Sequence, residues 1–391
     1  MKNRVGRRAL GVLAGAWAAI FFVGGSLRVL ADCASFGLPF TDLGSTSFCA
    51  AIAEAYYTGI THGTSATTFS PTASVDREQA AIFATRTLDA ALTRGSRRAA
   101  LGQWWTTRTT QWNAGFGVTA VGTGPARMTS DGEDVWVTNV GDDTISRVHA
   151  RDGRLLGTWT GATLPFGILA ALGRIFVTGV GGEIFMIDPT LPPGDVTTVV
   201  KDIPDQLSSI AFDGSKLLVL GGTTIWSIDP TDWSFVPKAK SDIPSGLVFD
   251  GTSLWYTEAS GEHLFKLDAS FQNILAEVPV TGLGVVGADP LFDGANIWAL
   301  GPLDDTITVV RASDGVIVKK MSAAGGIPLK RPYLAAFDGR RVAVSNDGFV
   351  SIFNSTDLSF QGTLPSPGIG PVCSDGIDFW LGIGPNSIGR F

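Results

Sequence analysis

The strongest constraint on this chain is a unit that recurs seven times between residue 125 and the C-terminus. Its marker is a turn dipeptide followed by a hydrophobic strand. The dipeptides are Asp131-Gly132, Leu172-Gly173, Asp213-Gly214, Asp250-Gly251, Asp293-Gly294, Asp338-Gly339 and Asp375-Gly376. Their glycines lie 41, 41, 37, 43, 45 and 37 residues apart. In four units a Trp follows the Gly by four positions: Trp136, Trp255, Trp298 and Trp380. A short apolar run leads into each turn. After the marker strand come a Gly/Asp/Asn-rich turn, a third alternating strand such as Thr224-Ile225-Trp226-Ser227-Ile228, another turn and a fourth strand. The spacing predicts two-residue hairpins at the Asp-Gly steps, because such hairpins need φ > 0 and Gly reaches it without strain.

Four short strands in about 40 residues make one blade of a β-propeller. The last unit stops at Phe391 after three strands. A fourth is available upstream, in Phe116-Gly117-Val118-Thr119-Ala120-Val121, and pairing it there closes the ring without a bare sheet edge. The fold expected is therefore mainly β: a seven-bladed β-propeller over 111–391, after a small all-α module. This also locates the 49 Gly and 20 Pro of the chain, and the 45% hydrophobic content argues against disorder. The Trp of the marker strands sit between apolar neighbours, so they read as core between blades rather than as a ring for stacking sugars.

Residues 1–31 read as a secretory signal peptide. Lys2, Arg4, Arg7 and Arg8 precede the uncharged stretch Ala9–Leu27, and Val29-Leu30-Ala31 offers a cleavage site. The alternative is an uncleaved membrane anchor, since 19 residues suffice to span a bilayer. Removing residues 1–31 takes five positive charges with it and moves the formal charge from −7 to −12. An acidic surface disfavours nucleic acid and anionic membrane, so the partners expected are a cell-wall polysaccharide or an envelope protein, with no membrane contact beyond the leader. The chain is expected to be exported to the cell surface, the medium or a periplasm, and to be a monomer. In an exported chain Cys33–Cys49 is a plausible disulfide, while Cys373 reads as a small buried residue.

Residues 32–92 hold the helical signals. Cys49, Ile52 and Tyr56 share one helical face, and Ala80, Phe83, Ala84, Thr87, Leu88 and Ala91 another. Ser74 and Asp76 are N-cap candidates for the second helix. Residues 93–110 read as a linker. The ordered set Phe40-Thr41-Asp42, Gly59-Ile60-Thr61-His62-Gly63, Phe69-Ser70-Pro71 and Val75-Asp76-Arg77-Glu78-Gln79 resembles an S-layer homology module. Two features depart from that family: its Thr-Arg-Ala-Glu core is Asp-Arg-Glu-Gln here, and one copy is present where several are usual. The resemblance implies attachment to a bacterial cell envelope through wall polysaccharide, with Arg77 meeting an anionic sugar substituent.

The repeats resemble the blades of NHL- and YVTN-type propellers; the Gly-His and Trp-Asp markers of WD40 repeats are absent. Inner strands begin at Pro125, Pro165-Phe166, Gln206, Pro244-Ser245, Asp289-Pro290, Arg331-Pro332-Tyr333 and Pro371. The candidate binding residues on that face are Asn139, Glu258, Asp289, Arg331, Tyr333 and Asn346. Streptogramin lyase-like propellers place a catalytic His there, but His149 and His263 fall elsewhere in their blades and His62 lies in the helical module. Calcium-dependent lactonase propellers hold an axial metal with Glu, Asn and Asp oxygens, and Glu258, Asp289, Asn139 and Asn346 are the residues of that type. The bland alternative, that these four satisfy turn backbone, is preferred, so no metal, cofactor or catalytic residue is assigned. The function expected is non-catalytic binding or scaffolding at the cell surface. The alternative is a lactonase-like propeller hydrolase or lyase with an axial metal.

Overall fold

The structure is a computed structural model and describes residues 31–32, 38–46, 48–57, 60–61, 63–94, 118–284 and 288–391. The chain divides into two compact units, Met1–Ala53 with Gly63–Thr72, and Glu54–His62 with Ala73–Phe391. Residues 1–30 of the leader and Cys33 lie outside the described residues, as do 95–117.

In the first unit, Ala31–Asp32 pairs antiparallel with Ser45–Thr46, so this region is not purely helical. Phe40, Leu43, Cys49 and Ile52 are buried, and Cys49 is disulfide-bonded. Helix α1 spans Cys49–Tyr57. In the second unit, helix α2 spans Arg77–Arg94. Asp76 caps it: Gln79 N–H donates to Asp76 Oδ1 at 2.8 Å, and Asp76 N–H donates to Gln79 Oε1 at 3.1 Å. This is a capping box, which satisfies two backbone donors at once. The substitution of Asp and Gln for the family's Thr and Glu thus keeps the cap. The spacing predicts an apolar face on α2, yet Ala80, Ala84 and Thr87 are exposed and only Phe83 and Arg86 of its described side chains are half-buried. Alanines at helical spacing bury too little surface to force a face inward.

Seven four-stranded antiparallel sheets follow. Six run in simple sequence order from Pro125–Ser130 outward to Phe360–Pro365. The seventh runs Val372–Ser374, Phe379–Gly384, Ser387–Arg390 and then Val118–Ala120. The N-terminal strand pairs Val118 with Gly389 and Ala120 with Ser387, and closes the last blade as the sequence predicts. The first strand of each sheet neighbours the first strand of the next, and Val372–Ser374 neighbours Pro125–Ser130, so the ring is complete.

Seven apolar clusters fill the seven inter-blade spaces. Trp136 packs with Ile168 and Val177 of the next blade, Trp255 with Ile297 and Val310, and Trp298 with Val344 and Phe353. Trp380 packs across the closure with Met128 and Val137.

The turns differ from the two-residue hairpins expected. Only Leu172-Gly173 is one, joining Ala171 and Arg174 with φ of +54° and +67°. At the six Asp-Gly sites the loop has four residues; Ser130 pairs with Val135, and Phe249 with Leu254. The reason is the Asp side chain. Asp131 Oδ1 accepts from the N–H of Glu133 at 3.0 Å and of Asp134 at 2.8 Å, and Asp250 Oδ1 does the same for Thr252 and Ser253. The carboxylate replaces the missing cross-strand bonds and stabilises the longer loop. Gly still sits at φ near +90°, as at Gly132 (+94°) and Gly251 (+93°).

Candidate functional site

The inner strands begin at one end of the ring, and their first residues meet at its axis. Arg127, in strand Pro125–Ser130, reaches Asp289, just ahead of strand Leu291–Phe292, with Nε 3.2 Å from Oδ2. Ser209 of strand Leu207–Phe212 donates its hydroxyl to Asp289 Oδ1. The Arg127 guanidinium lies 4.5 Å from the Phe166 ring centroid and 5.6 Å from that of Tyr333. Its Nη1 donates to the Ala126 carbonyl at 2.9 Å. Arg127 is 10% exposed and Asp289 24%. A guanidinium this buried needs an opposite charge and aromatic faces to offset its lost hydration, and it has both. Five blades thus contribute to one polar knot that spans the axis at this end.

The backbone that aims Arg127 inward is held by a buried hydroxyl on the second strand. Thr138 Oγ1 accepts from Arg127 N–H at 3.1 Å and donates to the Phe166 carbonyl of the next blade at 2.8 Å. Thr178 joins Gly167 to Ser208 in the same way, and Ser345 binds both the carbonyl and the N–H of Gly370. The inner strands shift register near these hydroxyls, between Pro125 and Arg127 and between Pro165 and Ile168.

Of the six expected residues, the axis gathers two, Asp289 and Tyr333. Asn139 is buried at the end of its strand, and its Nδ2 donates to Thr144 and Ser146. Asn346 is likewise buried; its Nδ2 donates to Ser351 at 3.1 Å and to the Val344 carbonyl, and its Oδ1 accepts from Lys330 N–H. Glu258 Oε1 accepts from Ser241 Oγ at 2.7 Å and Asp242 N–H at 2.9 Å. Arg331 sits at φ +48° and donates its N–H to Asp305 Oδ1. These four side chains or backbones serve turns and blade connections. Among the described residues no three His, Cys, Asp or Glu side chains group as a metal site.

Arg127 is the residue that sequence reasoning missed. Its signal was present: it is the one charged residue within the seven innermost strands. His149 pairs with Asp152 at 2.9 Å and His263 with Glu277 at 3.4 Å, both away from the inner-strand starts. Near His263, burial and the Glu258 carboxylate push the Tyr256 phenol up to about 12, so it stays protonated.

The other ends of the same strands border a cavity of about 760 Å³. Its floor is Leu291, Phe292 and Phe337, and its walls include Glu133, Arg147, Arg174, Asp131 and Asp375. Arg147 donates Nε to Asp134 at 2.6 Å and Nη1 to the Pro189 carbonyl at 2.7 Å. Burial raises the Asp134 carboxyl above its ordinary value, outweighing this neighbour. Arg174 pairs with Asp188 at 3.1 Å.

In the first unit the motif residues hold one another. Asp42 Oδ1 and Oδ2 accept from the N–H groups of Phe69 (2.9 Å) and Ser70 (2.7 Å), which holds its carboxyl below the usual value. The Phe40 and Phe69 rings lie 5.4 Å apart. Gly63, at φ +78°, has no room for a side chain: a Cβ would stand 2.4 Å from both Phe40 and the Thr68 carbonyl. Arg77, in the second unit, is exposed on the first turn of α2.

Residues 39–81 match the S-layer homology domain. No curated protein matches the chain. Among solved structures, a streptogramin B lyase aligns with a TM-score of 0.56 at 16% identity, covering 70% of this chain and 96% of that one. The β-propeller domain of Cps50 (Swd1) from Myceliophteria thermophila aligns at 0.57 and 12% identity, covering 70% and 97%. The WD40 propeller domain of Doa1 aligns at 0.54 and 13% identity, covering 71% and 95%. At such identities the likeness is one of fold. The chain therefore carries an S-layer homology domain at residues 39–81 and, later in the sequence, a seven-bladed β-propeller.

Proposed function

We propose that this is an exported envelope protein whose propeller is a non-catalytic binding or scaffolding module, attached to the cell surface through the S-layer homology domain. The observation that carries the reading is the ordered motif set of residues 39–81, whose Phe40, Asp42, Gly63 and Phe69 build one tight loop structure. In this reading residues 1–31 are the export leader, 32–92 the attachment module, 93–110 a linker and 111–391 the ring. Arg77 offers an exposed guanidinium to an anionic substituent on a wall polysaccharide, and Cys33 is the disulfide partner of Cys49. A binder rather than an enzyme is supported by an axis whose ionised groups are engaged with each other. The test is retention of the full chain on purified cell-wall sacculi. Wild type is expected in the pellet, with Arg77→Ala shifted to the supernatant. Recovery of wild type in the supernatant removes the attachment reading.

A further inference from the structure

We infer that the ligand end of the ring is the end bearing the Asp-Gly turns, and that its cavity takes a neutral carbohydrate. This rests on the binding reading of the propeller but not on wall attachment.

At the end where inner strands begin, the Arg127–Asp289 pair spans the axis with Phe166 and Tyr333 around it, and the cavity beside Pro125 and Pro371 is only about 230 Å³. At the other end the same strands open into about 760 Å³, within the ~300–1,000 Å³ range of ligand cavities. The wall groups divide by what they have left to give. Asp131 and Asp375 have both carboxylate oxygens engaged: Oδ1 holds two turn N–H groups and Oδ2 holds a Trp Nε1. They build the wall rather than bind.

Arg147 and Arg174 are held rigid by Asp134 and Asp188, which also offset their charge. Each bonds through only part of its five-donor guanidinium. Glu133 is exposed and its carboxylate takes no bond from a described residue. Fixed donors thus lie beside a free acceptor, over a half-buried aromatic floor of Phe292 and Phe337.

A ligand that satisfies all three presents hydroxyls, which both donate and accept, around an apolar ring face. A sugar does so. An anion meets Glu133, Asp131 and Asp375; a cation meets two guanidinium groups; a purely apolar molecule strands polar groups without partners.

The experiment is titration calorimetry of the full chain with neutral hexasaccharides (chitohexaose, cellohexaose and mannohexaose). Hexagalacturonate and the glucosamine hexamer are the anionic and cationic comparators. At least one neutral hexamer is expected to bind and to exceed both comparators. Arg174→Ala and Glu133→Gln are each expected to weaken it about tenfold, and Ala171→Trp, which fills the cavity from its wall, to abolish it. Should Ala171→Trp lower the melting temperature, the two surface variants decide. Arg77→Ala is expected to leave sugar binding unchanged, while the cavity variants keep sacculus retention, so the two readings fail separately. No binding by any neutral hexamer at millimolar concentration overturns the inference. So does binding that both surface variants leave intact, or a charged hexamer that binds more tightly.

Discussion

The four Trp of the marker strands each do two jobs. Their rings are fully buried between blades, and each Nε1 donates to the Asp that starts its own turn, at 2.7 to 3.0 Å. Trp255→Phe keeps most of the ring but leaves Asp250 Oδ2 without that donor. It should cost about 1–3 kcal/mol; Trp255→Ala, which also opens a cavity, should cost about 3–5 kcal/mol. Denaturant melting of the two variants separates the bond from the packing, and a Trp255→Phe variant as stable as wild type would show that the bond contributes nothing. Asp42 supplies a pH-dependent case. Its carboxyl is lowered from 3.8 by the Phe69 and Ser70 amides. A depressed value means that the stabilisation is complete above the unfolded value and is lost as pH falls through the folded one. Hydrogen-exchange protection of the Phe69 and Ser70 amides should thus persist at pH 4 and collapse under stronger acid. In Asp42→Asn protection should be weak throughout and nearly flat with pH. At this scale the sequence was legible where a residue's partner is near in the chain, as for Asp76 with Gln79. The Arg127–Asp289 pair spans 162 positions, and no local pattern announces it. Asn139 and Asn346 misled for the opposite reason: both sit at strand ends facing the expected end of the ring, but near neighbours take up their amide N–H groups.

At the scale of elements, the repeat spacing foretold all seven sheets and the N-terminal strand that completes the last. What it misjudged was the turns. A Gly after Asp suggests a two-residue hairpin, but an Asp carboxylate that binds two backbone N–H groups supports four residues instead. Leu172-Gly173 has no such carboxylate and is the tight hairpin. Strand Val118–Ala120 is the element on which closure depends. Deleting residues 118–121 leaves Ser387–Arg390 as a bare edge and removes Thr119, whose hydroxyl also bonds the Gly153 carbonyl of the first blade. The expected result is a lower melting temperature, with exchange of the blade-seven amides ahead of the rest. A melt indistinguishable from wild type would mean that the ring holds without its closing strand.

For the molecule as a whole, composition and repeats bounded the architecture well and its chemistry poorly. At the end of the ring that sequence reasoning favoured for ligands, the polar residues at the axis are paired with one another. The open end drew no attention in the sequence, since Asp-Gly turns explain themselves as structure. The closing strand has a mechanical side as well. A pull from the N-terminal part of the chain that reaches Val118 meets the first described strand of the ring. It falls first on a three-residue ladder to Ser387–Arg390, with Val121 and Gly124 bonded to Asn386 and Pro385 just behind it. A ring tethered in flowing medium would therefore carry its load on its own latch, and the latch is the point at which it would begin to tear.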